Sequence, residues 1–295
     1  MPRPSIDQFI ASDAGAAFYR AYDSVLAKWP NGTTARELDS LYGTTHINEC
    51  GPDDGPAVLL LPGAGATSTV WFNTAAALGT GNRLYAIDLM GDAGRSVGHG
   101  RPIASVDDLL GWLRGVVDAL ELDSFSIVAH SYGAMIALAY ALRAESRVKR
   151  LFLLDPNSCF AGMRAAYLAR AVPILLRPNE RRERSFIRWE TDGLALDEDW
   201  LSLLAQGAAH FPKSKTIVPE RPSKSALAGL AADTTVILAG RSKVHDSRKV
   251  EAAVRSTLPT ARTVILDSAT HHALPMTPTI ELNAVLVDGL TRMSD

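Results

Sequence analysis

The run Ala57-Val58-Leu59-Leu60-Leu61 is apolar at every position, so as a strand it must be covered on both faces. Covering both faces requires helices above and below a sheet. The rest of the chain reads accordingly. Arg83 to Ile87, Phe125 to Ala129, Leu151 to Leu154, 235–239 and Arg262 to Leu266 are short runs with strand character. Between and after them, 105–120, Ala134 to Arg143, Lys249 to Thr257 and about Thr279 to Leu290 read as helices. This alternation predicts an α/β fold with a mostly parallel central sheet and helices on both faces.

Two regions depart from the rhythm. Residues 13–28 read as a helix whose packing partner the pattern does not name, and 43–49 alternate like a strand before the turn cluster Gly51-Pro52-Asp53-Asp54-Gly55-Pro56. Residues 156–233 carry helical stretches but no core-strand signal. The expected organisation is an N-terminal helical extension over 1–42, a core from 43–155 and 234–295, and a helical lid or cap inserted at 156–233. The charged run Arg177-Pro178-Asn179-Glu180-Arg181-Arg182-Glu183-Arg184 alternates in sign, which suits a solvated helix start or loop better than an anion site.

Bulk properties exclude several classes. With 295 residues and 47% apolar content the chain can build a sizeable core, which excludes disorder as a description of the whole. A formal charge of −2 gives no reason to expect nucleic acid or an anionic membrane as a partner. Cys50 and Cys159, far apart in sequence, suit free thiols better than a disulfide framework or a metal cluster. No leader-like apolar region follows Met1, and no uncharged apolar run reaches the roughly 18 residues of a membrane span. The expectation is a soluble cytoplasmic protein with a small-molecule substrate and no cofactor, its oligomeric state left open.

The sharpest chemical signal is Ala129-His130-Ser131-Tyr132-Gly133, set between Ser126-Ile127-Val128 and a helix of small residues. A tight strand-to-helix turn needs small neighbours, and it lifts the serine Oγ above the sheet near the helix N-terminus, where developing negative charge is favoured. Ser131 is therefore the candidate nucleophile; the plain alternative is a turn serine that caps the helix.

Over roughly residues 43–290 the chain resembles the α/β-hydrolase superfamily, in its branch of serine esterases, lactonases and C–C hydrolases. Pro62-Gly63-Ala64-Gly65 looks like the histidine-glycine oxyanion loop of that family, with Pro62 where histidine is usual. The resemblance implies oxyanion N–H groups at Ala64 and Tyr132. Asp88-x-x-Gly91-x-x-Gly94-x-Ser96 looks like a structural loop of the family and implies no catalytic role for Asp88.

The resemblance also places a base after the last core strand, followed seven residues later by proline, which here is His271 with Pro278. Thr270 stands where glycine is customary and Met276 where glutamate is, and the neighbouring His272 could substitute in register or help shape the pocket. His130 is expected to point toward structure, and His46, His99, His210 and His245 have no spacing that recommends them as ligands. No metal motif is present. The usual acid position, three residues after Gly240, is occupied by Lys243. Two carboxylates remain: Asp155, at a strand end where some superfamily members carry their acid, and Asp246, further along the usual loop. Asp246 also reads as a cap for the helix that follows it. That neither serves is the third option.

The implied activity is cleavage of an ester, lactone or thioester of a small, largely apolar substrate through an acyl-Ser131 intermediate. Alternatives are a biosynthetic cyclase, acyltransferase or C–C bond hydrolase on the same scaffold, or a non-catalytic small-molecule binding protein. In the insert, Phe160, Met163, Leu168, Phe186, Trp189 and Trp200 could line an acyl pocket or simply pack helices. Tyr132, beside the nucleophile, is a better pocket candidate.

Overall fold

The strands β1 (Thr34–Ser40), β2 (Gly43–Cys50), β3 (Ala57–Leu61), β4 (Arg83–Ile87), β5 (Phe125–His130), β6 (Val148–Leu154), β7 (Asp233–Ala239) and β8 (Arg262–Leu266) form one sheet in the order β1-β2-β4-β3-β5-β6-β7-β8. The computed structural model describes residues 4–144 and 146–291. Strands β3 to β8 pair in parallel, whereas β2 runs antiparallel to both β1 and β4. This is the expected α/β architecture.

Strand periodicity divides the core in two. Leu59, Leu61, Ile127, Ala129, Val236 and Leu238 face one layer, while Val58, Leu60, Val128, Ile237 and Ala239 face the other. The first layer is closed by α4 (Val106–Ala119), α5 (Ser131–Ala141) and α10 (Ser247–Thr257). The second is closed by α2 (Asp13–Leu26), α3 (Phe72–Leu78) and α11 (Thr279–Thr291), with α1 (Ile6–Ile10) beside α2. The α5 helix is apolar all round and almost wholly buried, as suits a helix at the centre of a large core.

The insert contains α6 (Ala165–Leu176), α7 (Glu180–Glu190), α8 (Glu198–His210) and the short α9 (Lys224–Leu227). The charged run leads into the start of α7 and is exposed or half-exposed except at Glu183, which is buried; Asn179 caps the helix by accepting the Arg182 N–H. Apolar residues of α7 and α8, among them Phe186, Ile187, Trp200 and Leu204, merge with the layer that holds α2.

Two differences from the sequence reading have physical causes. The segment before residue 43 is not purely helical: β1 joins the sheet as an edge strand. Its residues are mostly exposed and include Arg36, Glu37 and Asp39, so it lacks the apolar alternation by which a half-buried strand is recognised. The α2 helix also does more than extend the chain. Tyr22 is buried and donates to Asp88 at 2.9 Å, while Asn48 donates to the Tyr22 hydroxyl at 2.7 Å. Asp88 further accepts the N–H groups of Ser68 and Arg95, which makes it the tie between β4, α2 and the following loop. No helix among the described residues is long and apolar enough to cross a membrane.

Candidate active site

The turn between β5 and α5 is as tight as its small residues predict. The helix begins at Ser131 rather than at Ala134, and Ser131 itself has φ of 51°, a left-handed conformation that serine adopts only at a cost. A Cβ on Gly133 would lie 2.5 Å from the Pro62 carbonyl oxygen and 2.6 Å from that of Leu61, so only glycine lets the end of β3 approach the start of α5. Gly63 is similarly confined by the His130 ring and the Ser131 side chain. These contacts bring Ala64 beside Ser131, and both line one cavity with Tyr132. The Tyr132 N–H lies in the first turn of α5, where amides have no intrahelical acceptor. The loop that carries Ala64 is steadied by Asp92, which accepts the Gly65 N–H at 2.8 Å.

His271, in the loop after β8, faces Ser131 with Nε2 at 2.8 Å from Oγ. Its Nδ1 lies 2.6 Å from Asp155 Oδ2. Asp155 directly follows β6 and is fully buried. The structure thus brings together Ser131, His271 and Asp155. It does not bring Asp246 to them: that residue caps α10 through the Lys249 N–H at 3.2 Å and lies 3.9 Å from Arg164. Lys243 is drawn away against the insert, where it contacts Asp192 and the Trp189 carbonyl.

Burial disfavours the ionised form of Asp155, yet hydrogen bonds from His245 and His271 outweigh it and hold the carboxyl well below the usual carboxylate range. Four donors serve this carboxylate. Oδ1 accepts the Ala239 N–H at 3.0 Å and His245 Nε2–H at 2.9 Å, and Oδ2 accepts the Ser242 hydroxyl at 2.8 Å and His271 Nδ1–H at 2.6 Å. Burial pushes the His271 imidazole below its ordinary value against the opposing pull of Asp155. A neutral ring with Nδ1–H toward Asp155 leaves Nε2 free to accept the Ser131 hydroxyl proton.

The His271 backbone is held at both ends. Glu190, fully buried at the end of α7, accepts its N–H at 3.1 Å, and His130 Nε2–H donates to its carbonyl at 2.9 Å. The other Glu190 oxygen accepts the His272 N–H at 3.1 Å and lies 3.1 Å from His272 Nδ1. Burial opposes ionisation of Glu190, but the hydrogen bond and charge of His272 prevail and lower its pKa to about 2. For His130, burial and the neighbouring His271 and His272 depress the pKa well below the ordinary value, in keeping with a neutral structural donor.

Sequence reasoning missed Glu190 and His245. Neither belongs to a motif with fixed spacing. His245 lies three residues beyond Ser242 on the loop where the usual acid was sought, so the loop does serve Asp155, but with donors instead of a carboxylate. His245 Nδ1 is buried with no hydrogen-bond partner. The other histidines are occupied elsewhere, His46 by Glu37, His99 by Thr44 and His210 by Glu180. Among the described residues no group of His, Cys, Asp or Glu is arranged to hold a metal ion.

A cavity of about 120 Å³ opens beside Ser131 and His271. Of the six insert residues considered from sequence, Trp200 lines it, joined by Tyr167 and Leu204, which the sequence did not single out. Phe160 instead packs into the core layer of α5, and Leu168 is 44% exposed.

A family model described as the alpha/beta hydrolase family matches residues 58–285. Among curated proteins, carboxylesterase YbfK of Bacillus subtilis is 32% identical over 187 residues, covering 62% of this chain and 61% of that protein. The matched chain thus spans less than two thirds of this relative. The crystal structure of carboxylesterase CesB (YbfK) from the same organism is similar with a TM-score of 0.87 and 23% identity, covering 95% of this chain and 99% of that one. Naproxen esterase (carboxylesterase NP) of B. subtilis gives 0.86 and 22%, covering 94% and 98% respectively. At these identities the structural likeness speaks for the fold.

Proposed function

The chain belongs to the alpha/beta hydrolase family, and from that membership we propose that it is a serine hydrolase that cleaves an ester, lactone or thioester of a small, largely apolar substrate. The observation that carries the reading is the unbroken relay from Ser131 Oγ to His271 Nε2 at 2.8 Å and from His271 Nδ1 to Asp155 at 2.6 Å. The 32% identity to a carboxylesterase of Bacillus subtilis supports ester chemistry.

In this mechanism His271 Nε2 takes the Ser131 proton as Oγ attacks the carbonyl carbon. Negative charge gathers on the former carbonyl oxygen and is met by the N–H groups of Ala64 and Tyr132. The tetrahedral species collapses as His271 passes its proton to the leaving alcohol or thiol, which leaves an acyl-Ser131 ester. Water, deprotonated by His271, then releases the acid and restores the serine. Asp155 fixes the imidazole tautomer and stabilises the transient imidazolium. The 156–233 insert acts as the lid, supported by Tyr167, Trp200 and Leu204 in the cavity wall. The two buried free thiols, Cys50 and Cys159, support a reducing, cytoplasmic setting.

The test is turnover of para-nitrophenyl esters together with fluorophosphonate labelling, in wild type and Ser131→Ala. Wild type is expected to turn over and label, and the mutant to do neither. Equal labelling of the two proteins would remove Ser131 from the mechanism.

A further inference from the structure

The cavity beside Ser131 is small, but it does not stand alone. Ala64, Tyr167 and Leu204 also line an adjoining cavity of about 370 Å³, whose wall includes Ile174, Phe186 and Phe211. An ester too long for the inner space would extend into this outer one.

The outer cavity is mostly apolar, and its charged lining groups differ in how they are satisfied. Asp92 accepts the N–H groups of Gly65 and Ala93 and pairs with Lys213 at 3.2 Å. His210 lies 3.2 Å from Glu180. Glu183 is different. It lines the cavity from α7 at 9% exposure, and its carboxylate has no hydrogen bond or ion pair among the described residues. Its carboxyl oxygens are not among the buried side-chain atoms left without a partner: they are open to the cavity, where a ligand donor can reach them. Burial raises its pKa, with the charges of His272 and Lys213 acting in the opposite sense. A ligand donor in this cavity would supply what the protein does not.

We propose that Glu183 is a specificity-determining residue: it receives a hydrogen-bond donor, a hydroxyl or a protonated amine, on the end of the ester remote from Ser131. The proposal rests on the hydrolase reading above and names its substrate class. Apolar walls accept the hydrocarbon middle of the molecule, and the carboxylate acts at its far end. A terminal carboxylate in the same place is repelled.

The experiment compares kcat/KM for para-nitrophenyl esters of one medium-chain acid ending in methyl, hydroxyl, ammonium or carboxylate. Wild type should favour a hydroxyl- or ammonium-ended ester over the methyl-ended one by about tenfold, the scale of one hydrogen bond to a charged group. The carboxylate-ended ester should be poorest. Glu183→Leu should abolish the donor preference. Glu183→Gln retains an acceptor of nearly the same shape, so it should keep a hydroxyl preference and lose an ammonium preference, which separates the two donor types. If Glu183→Leu does not fold, the ammonium-to-methyl ratio in Glu183→Gln decides. Ratios identical in wild type and variants, or a wild-type preference for the carboxylate end, overturn the proposal. If such ratios accompany turnover of the methyl ester and fluorophosphonate labelling of Ser131, the hydrolase reading stands and this inference alone falls. Absence of both turnover and labelling overturns the two together.

Discussion

Glu190 accepts the backbone N–H of His271 at 3.1 Å, so a side chain of the insert helps to hold the loop of the proposed base. Insert and relay are therefore not independent: displacing the end of α7 removes an anchor from His271.

Glu190→Gln replaces an acceptor-only group by an amide whose NH2 must face either the His272 N–H or the Lys243 and His271 N–H groups. The expected result is a loss of about 2 kcal/mol in stability, with a fall in kcat. The pH dependence has a definite sign. With its pKa lowered from 4.5 to about 2, the Glu190 carboxyl contributes stability that is present above about pH 4.5 and is lost as pH falls toward 2. The Tm difference between wild type and Glu190→Gln should shrink across that window. A difference that stays constant would remove the carboxylate from the account.

Asp155→Asn should lower kcat by about a thousandfold or more, because the amide can hold the wrong imidazole tautomer. Asp246→Ala should leave turnover near wild type and cost about 1 kcal/mol of stability through the lost α10 cap. Parallel kinetics and thermal melts check both, and a large kcat defect in Asp246→Ala would count against Asp155 as the proposed acid.

His245 donates to the same carboxylate that serves His271. The acid limb of kcat/KM should lie below pH 6.5, since the depressed His271 must be neutral to serve as the proposed base and the rate falls as it protonates. Removing the His245 donor in His245→Leu leaves Asp155 a stronger partner for the imidazolium, so the limb should move to higher pH. Asp155, Glu190, His130 and His272 surround the ring and remain in place. His245→Gln, which retains an N–H donor, should move it back. A purely structural role would lower stability without moving the limb.

Ser131 stores backbone strain at φ of 51°. Ser131→Gly should therefore be more stable than Ser131→Ala by about 1 kcal/mol, although both should be silent to fluorophosphonate. Thermal melts of the two variants compare them directly. Equal Tm values would mean that the turn is relaxed rather than strained.

Much of this was legible in the sequence where one residue type answers one physical demand. The two-sided apolar run of β3 predicted a covered sheet, and the small residues around Ser131 predicted a tight turn. The sequence does not choose between Asp155 and Asp246, because which carboxylate reaches His271 depends on loop geometry that no local pattern encodes. Glu190 and His245 were invisible for a related reason: a buried carboxylate or imidazole is recognised by its partners, which lie 81 and 90 residues away in sequence. The β1 strand escaped notice because an edge strand with charged, exposed side chains has the composition of a loop.

The Tyr22–Asp88 hydrogen bond bears on where this molecule can be cut. The family match begins at residue 58, downstream of α2, β1 and β2. A fragment trimmed to that boundary would bare the edge of β4 that pairs with β2 and would deprive the buried Asp88 of the Tyr22 donor. The transplantable unit of this protein therefore starts no later than α2, and any shortened or grafted version has to carry that helix with it.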